Sequence, residues 1–309
     1  MVSRKLKTRR VIIGATAGAA LLAATPLVAS AVSSEDPPPT VSAKGAKMLD
    51  VNSGESVYDK DGDTARPLAS TTKIMVASTV LDDKNVDLDR QVEVKQRYRD
   101  YVTEHHASTA DLQTGDKLTV RQLLYAALLP SGADAAYALA DTLGEGDTPK
   151  ARVASFTDKM NAKTNELGLP KTHFETFDGT GDDVGTPEEL TRLARHAMEK
   201  PLFRKVVATK EYKTEAPAAN GRTRYYTWNN TNKLLGAYDG AIGIKTGTTS
   251  KAGECLVFAA TRGDKSFVGT VLNSKDRFQD AAKMLDHGFG SDDAKDLKLR
   301  KLPSGSQQD

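Results

Sequence analysis

Alternating hydrophobic patterning stands near both ends of this chain and helical spacing fills the stretch between, so segments far apart in sequence must share one sheet. Near the start, Lys47-Met48-Leu49-Asp50-Val51, a turn at Asn52-Ser53-Gly54 and Glu55-Ser56-Val57-Tyr58 predict a β-hairpin. Near the end, residues 241–248, 254–261 and 266–272 predict three strands, the last two joined through the tight-turn pair Gly263-Asp264. A helix carrying Phe278, Ala281, Ala282 and Leu285 should then lie on the sheet. The expectation is an α+β fold: an antiparallel sheet of about five strands from both chain ends, flanked by helices, with a mostly helical lobe inserted at about residues 80–235.

Leading into that lobe, Ser70, Ile74, Ala77 and Leu81 fall on one face of a helix following Pro67. Ser70 is thereby expected at a helix N-terminus, where free N–H groups and the macrodipole favour negative charge developing beside it. Val120, Leu123, Leu124, Ala127 and Leu128 repeat at helical spacing until Pro130, and helical composition resumes from Ala133 to Leu143. Ser131-Gly132-Ala133 is therefore expected in a tight loop between two helices. Phe156, Met160, Leu167 and residues 186–197 suggest further helices.

The first ten residues carry Arg4, Lys5, Lys7, Arg9 and Arg10, and an apolar run from Val11 to Leu27 ends near Ala29-Ser30-Ala31. A basic segment, an apolar segment and a small-residue cleavage site make residues 1–31 an expected export signal, which places the protein outside the cytoplasmic membrane or on the envelope side of it. Contact with a membrane is expected only if that segment stays uncleaved. Residues 32–45, with Pro37-Pro38-Pro39, read as a stiff spacer, residues 46–290 as the main folded domain, and residues 291–309 as a polar, frayed tail. Removing the five basic side chains from 43 Lys+Arg, against 41 Asp+Glu, turns a formal charge of +2 into about −3. No basic footprint for nucleic acid remains. Cys255 is the sole cysteine and lies in an apolar run, which suits a buried thiol and excludes an internal disulfide. The five histidines include no His-x-x-x-His, so neither metal nor cofactor is expected.

Ser70-Thr71-Thr72-Lys73 is the only Ser-x-x-Lys in the chain, and Lys245-Thr246-Gly247 the only Lys-Thr-Gly. A serine hydroxyl is a poor nucleophile at neutral pH; a lysine one helical turn away can activate it when burial and cationic neighbours keep its amine unprotonated. Each motif alone is a weak signal. Their order is more specific: Ser70 opening a helix, Ser131 in an interhelical loop, and Lys245 on a strand that returns beside it.

With these residues the chain resembles the serine-type D-alanyl-D-alanine carboxypeptidases, the low-molecular-mass penicillin-binding proteins related to class A β-lactamases. The likeness runs from about Lys47 to Phe289. It includes Leu68-Ala69-Ser70-Thr71-Thr72-Lys73-Ile74-Met75, Leu123-Leu124-Tyr125-Ala126-Ala127-Leu128-Leu129, Phe156-Thr157-Asp158-Lys159-Met160-Asn161 and Gly243-Ile244-Lys245-Thr246-Gly247-Thr248-Thr249. The resemblance implies a DD-peptidase/β-lactamase-like fold and hydrolysis of the terminal D-Ala-D-Ala bond of peptidoglycan stem peptides, with β-lactam antibiotics as covalent inhibitors. It implies Ser70 as nucleophile, Lys73 as general base and Ser131 as proton relay to the departing D-alanine. The N–H groups of Ser70 and Thr248 would form the oxyanion hole, Lys245 with Thr246 would hold the substrate carboxylate, and Gly247 would let substrate lie against the strand. Ala133 departs from the pattern, since the family usually has Asn there. The second β-rich domain and C-terminal anchor of many such relatives find no room in the residues after Phe289.

Three alternatives stay open at this point. A DD-transpeptidase would use the same acyl-enzyme. A class A-like β-lactamase would need a Glu-x-x-Leu-Asn carboxylate, and neither Glu166, Glu188 nor Glu189 has that sequence context. A non-catalytic peptidoglycan-binding protein has only Ala133 in its favour. His105-His106 is expected to be solvated or near the cleft rim, His173 to pack in the helical lobe, and Trp228 to be core rather than cleft border.

Overall fold

The structure is a computed structural model that describes residues 37–307. The expected export signal and the start of the spacer lie outside the described residues. The chain opens with the predicted hairpin, β1 (Gly45–Asp50) and β2 (Ser56–Lys60), followed by a short β3 (Arg66–Pro67). Residues 37–44 are less detached than a spacer would be. Val41 and Ala43 are buried, the Tyr58 hydroxyl donates to the Pro39 carbonyl, and Asp280 accepts from the N–H groups of Ser42 and Ala43.

The helical lobe begins with a 3-10 turn at Ala69–Thr72 that runs into α1 (Lys73–Asp82). Ser70 thus sits in the turn before the α-helix rather than at its first residue. Next come β4 (Gln91–Glu93), α2 (Gln96–Glu104) and β5 (Lys117–Thr119), with β4 and β5 paired. Thr119 and Gln122 exchange hydrogen bonds as a capping box at the start of α3 (Val120–Leu128), satisfying two donors that the helix leaves unpaired. Pro130 separates it from α4 (Ala133–Leu143), so Ala133 begins a helix instead of ending the loop. Both α5 (Pro149–Glu166) and α6 (Pro187–Ala197) start with a threonine cap followed by proline. Between them β6 (Val184–Gly185) pairs with β3. After α7 (Pro201–Ala208) the lobe departs from a purely helical expectation: β7 (Glu211–Pro217) and β8 (Thr223–Asn229) form a second hairpin.

The chain then returns to the main sheet as β9 (Ala241–Thr249), β10 (Gly253–Arg262) and β11 (Lys265–Ser274), and α8 (Arg277–Phe289) follows. The sheet order is β2-β1-β11-β10-β9, antiparallel throughout, so the five expected strands from both ends do share one sheet. β10 explains why residues 256–260 are continuously apolar. Cys255, Val257 and Ala259 face the core shared with the helical lobe, whereas Leu256, Phe258 and Ala260 face the core under α8. A strand covered on both faces has no polar side to alternate with. β9 is the edge of the sheet and faces the 3-10 turn that bears Ser70.

The final segment also differs from a frayed tail. A 3-10 turn at Asp293–Asp296 packs Ala294 into the core, the Arg300 N–H donates to the Lys233 carbonyl, and its guanidinium donates to the carbonyls of Asn230 and Asn232. Among the described residues no helix is long and apolar enough to cross a membrane.

Candidate active site

Ser70 and Lys73 come together because one turn of tight helix separates them: Lys73 Nζ stands 3.0 Å from Ser70 Oγ. The same Nζ donates to the Asp178 carbonyl oxygen at 3.0 Å. That carbonyl is held in place from two sides. Gly179, at φ +89°, presses on the turn so closely that a Cβ would stand 1.9 Å from the Ala69 carbonyl oxygen. The Asp178 carboxylate accepts from Tyr101 (3.1 Å) and from the hydroxyl of Thr180 (2.9 Å). Burial, with the negative charge of Asp178 beside it, raises the pKa of the Tyr101 hydroxyl and keeps it a donor. Ser70, Lys73, His106, Ser108, Asp178 and Thr248 line a cavity of about 400 Å³.

Lys245, Thr246, Gly247 and Thr248 lie in sequence on β9, the strand that borders the Ser70 turn. Lys245 is 1% exposed and donates to the Thr246 carbonyl at 2.8 Å. The structure gives Gly247 a reason the sequence did not suggest. A Cβ there would stand 2.9 Å from Ser70 N and 3.0 Å from Thr71 N, so the absent side chain makes room for the turn bearing Ser70.

Ser131 occupies the loop between α3 and α4 with φ +66°, and its buried Oγ has no hydrogen-bond partner. The loop is tied on both sides. Gly132 N–H donates to Ala126 O and Ala133 N–H to Ser108 O, while Thr231 donates its N–H to Leu129 O and shares a 2.5 Å hydroxyl hydrogen bond with Thr246. Asp134 secures the neighbouring segment. Its wholly buried carboxylate is pushed up in pKa by desolvation, yet it accepts from Ala110 N, Leu112 N, Thr109 Oγ1 and its neighbour Ala135 N, which oppose that shift.

Several residues of this site were not legible in the sequence. Arg277, buried at the start of α8, donates to the Gly247 carbonyl (3.1 Å) and the Thr248 hydroxyl (2.8 Å), bracing the strand from behind. Thr231, Asp178 and Tyr101 lack any motif. His105 stacks on Tyr101 with ring centres 4.2 Å apart and, with His106, lines the cavity rim. His173 corrects an expectation: it is exposed, and only its backbone pairs with Val184. Trp228 is core, with its indole N–H on Ala110 O at 2.9 Å. The carboxylates weighed for a β-lactamase do not line the cavity: Glu189 is bound to Thr172 and Lys171, Glu166 to Lys163, and Glu188 faces Lys47. Among the described residues no cluster of His, Cys, Asp or Glu could hold a metal ion.

A serine paired with a buried lysine beside the edge of an antiparallel sheet, under a helical lobe, defines a penicillin-binding DD-peptidase fold. The sequence pattern of the D-alanyl-D-alanine carboxypeptidases matches residues 30–276, and the chain belongs to that family of enzymes. It is 47% identical over 292 residues to a D-alanyl-D-alanine carboxypeptidase of Streptomyces sp. (strain K15), covering 93% of this chain and 98% of the relative. The carboxypeptidase DacB2 of Mycobacterium tuberculosis is 34% identical over 252 residues, 78% of this chain and 80% of the relative. The crystal structure of the Streptomyces K15 DD-transpeptidase matches with a TM-score of 0.81 and 49% identity, covering 82% of this chain and all of that one.

Proposed function

We propose that Ser70 is the nucleophile with which this enzyme cleaves the terminal D-Ala-D-Ala bond of peptidoglycan stem peptides. Ser70 Oγ attacks the penultimate D-Ala carbonyl, and Lys73 Nζ takes its proton. The C–N bond then breaks, the proton passes through Ser131 to the departing amine, and water hydrolyses the ester. Lys245 and Thr246 hold the terminal carboxylate, and the N–H groups of Ser70 and Thr248 receive the oxyanion. The observation that carries this reading is the 3.0 Å pairing of Ser70 with Lys73 in a cavity that also takes in Thr248. Penicillins occupy the same site and leave an ester on Ser70.

Peptide mapping after reaction with a fluorescent penicillin tests the assignment. The adduct is expected on Ser70 and absent from Ser70→Ala and Lys73→Ala, with D-Ala release lost in parallel. An adduct on any other residue overturns it. Transfer to an amine is the second reading, favoured by the transpeptidase name of the similar solved structure; adding an amine acceptor and weighing the product separates the two. The cell wall as site of action also supports residues 1–31 as an export signal, with residues 46–290 as the catalytic domain and the packed residues 37–44 as its N-terminal margin. N-terminal sequencing that begins at Met1 in membrane fractions would replace cleavage with an anchor.

A further inference from the structure

Asp178 meets the catalytic lysine through its main chain, since its carbonyl oxygen accepts from Lys73 Nζ at 3.0 Å. Its side chain is engaged elsewhere. Oδ1 accepts from the Thr180 N–H at 3.2 Å, from the Thr180 hydroxyl at 2.9 Å and from the Tyr101 hydroxyl at 3.1 Å. The two hydroxyls stand 2.9 Å apart, so three polar groups close a ring. Both Thr180 bonds are local to the loop, whereas the Tyr101 bond spans 77 positions and ties the loop to α2. The Tyr101 ring is itself held by His105, Tyr137 and Phe177, the residue before Asp178, with ring centres 4.2, 5.4 and 5.0 Å away. Asp178 is 1% exposed, and its Oδ2 is buried without a hydrogen-bond partner. A buried carboxylate with one orphaned oxygen costs stability, so this side chain points to a role other than stabilising its loop.

We propose that Tyr101 is a positioning residue for the general base: through the Asp178 carboxylate it fixes the Asp178 carbonyl, and that carbonyl sets the rotation of the Lys73 amine toward Ser70 Oγ. The role of Lys73 as base rests on the function proposed above. An unprotonated amine carries two N–H bonds and one lone pair at tetrahedral angles. With one N–H directed at Asp178 O, rotation about Cε–Nζ is restricted, and the lone pair can be held toward the Ser70 hydroxyl 3.0 Å away. A carbonyl able to shift would let the amine turn, and proton transfer depends on that alignment. Tyr101 acts from behind the cavity wall: Ser70, Lys73, Asp178 and Thr180 line the cavity, and Tyr101 does not. Loss of its hydroxyl should therefore slow the chemical step and leave substrate binding alone.

Saturation kinetics of acylation by a D-Ala-D-Ala peptide test this in the full chain. Tyr101→Phe keeps the ring and removes the hydroxyl; the limiting rate should fall about fivefold, with the half-saturating peptide concentration unchanged. Asp178→Asn, which retains an oxygen to accept from Tyr101, should keep most of the rate, whereas Asp178→Ala should lose about tenfold. Adding Tyr101→Phe to Asp178→Ala should slow it no further, because the hydroxyl acts through the carboxylate. Added to Asp178→Asn it should again cost about fivefold, a comparison that stands even where Asp178→Ala folds poorly. A role in stability alone would lower the unfolding midpoint of Tyr101→Phe and leave its limiting rate at the parental value. That result, or equal slowing by Tyr101→Phe in the Ala and Asn backgrounds, overturns the proposal. Lys73→Ala separates this proposal from the reading beneath it. If Lys73→Ala acylates at the parental rate, Lys73 is not the base and both fall; an inactive Lys73→Ala beside an unimpaired Tyr101→Phe removes only the role of Tyr101.

Discussion

Thr231 and Thr246 share a hydroxyl–hydroxyl hydrogen bond of 2.5 Å that joins the segment behind the Ser131 loop to the strand carrying Lys245. Thr231 also donates its N–H to Leu129 O, two residues before Ser131. One threonine therefore sets the spacing between a proposed proton relay and a proposed carboxylate anchor.

Thr231→Val keeps shape and removes that bond. Loss of about 1 kcal/mol in positioning corresponds to about a fivefold slower acylation by D-Ala-D-Ala peptide. Stopped-flow acylation checks it, with thermal unfolding expected to fall by only a few degrees. An unchanged rate would mean the loop holds its place without Thr246.

Gly247→Ala should damage the site directly. Its Cβ would meet backbone nitrogen of Ser70 and Thr71 at 2.9 and 3.0 Å, and backbone cannot rotate away. The Ser70 turn must move, and about 1–3 kcal/mol of overpacking follows. Acylation by penicillin should drop more than about a hundredfold, because an error of about 1 Å at the reacting atom is enough. A variant labelled at the parental rate would show that the turn accommodates the methyl.

The fold was legible where one residue type dominated a local pattern, and illegible where the partner was distant. β10 and β11 announced themselves through apolar runs around Gly263-Asp264. β7 did not, since only Ala216 of Glu211–Pro217 is buried, and without that strand the alternation of exposed Tyr225 and buried Tyr226 and Trp228 had no pairing partner. The Ser70–Lys73 pair is a matter of three residues and could be read directly. Arg277 reaches Gly247 across 30 positions and Gln307 reaches Thr109 across 198, and no spacing rule connects such residues. The tail read as frayed because Pro, Ser and Gly supply no apolar period; what holds it is hydrogen bonding to other segments.

Ala133→Asn would restore the side chain usual at this position in the family, and a regained hydrogen bond would speed acylation only if its loss limits the reaction. The packing around Ala133 argues against a gain. Ala133 is fully buried at the first residue of α4, with its N–H on Ser108 O at 2.8 Å. An amide there must push aside packed atoms, costing about 1–3 kcal/mol. Acylation should stay level or fall, with a lower unfolding midpoint; a rise of about fivefold would show that the amide reaches the substrate after all.

The last prediction concerns acid stability and stands apart from catalysis. Asp82 ends α1, and burial would raise its pKa, but hydrogen bonds from Lys200, His196 and Lys163 outweigh that and bring it from 3.8 to about 2. A carboxylate depressed in the folded state contributes its stability fully above the unfolded value and loses it as pH falls through the folded one. The window is therefore about pH 4 down to pH 2, and the contribution about 2 kcal/mol. The three partners, Lys163, His196 and Lys200, come from α5, α6 and the segment after α6, so the cluster clamps α1 to two helices of the lobe. Urea midpoints of the parent should decline steeply across that window, whereas Asp82→Asn, already less stable at pH 7, should show a flatter decline. Parallel slopes for the two proteins would mean that other carboxylates carry the acid transition and that Asp82 is not the clamp.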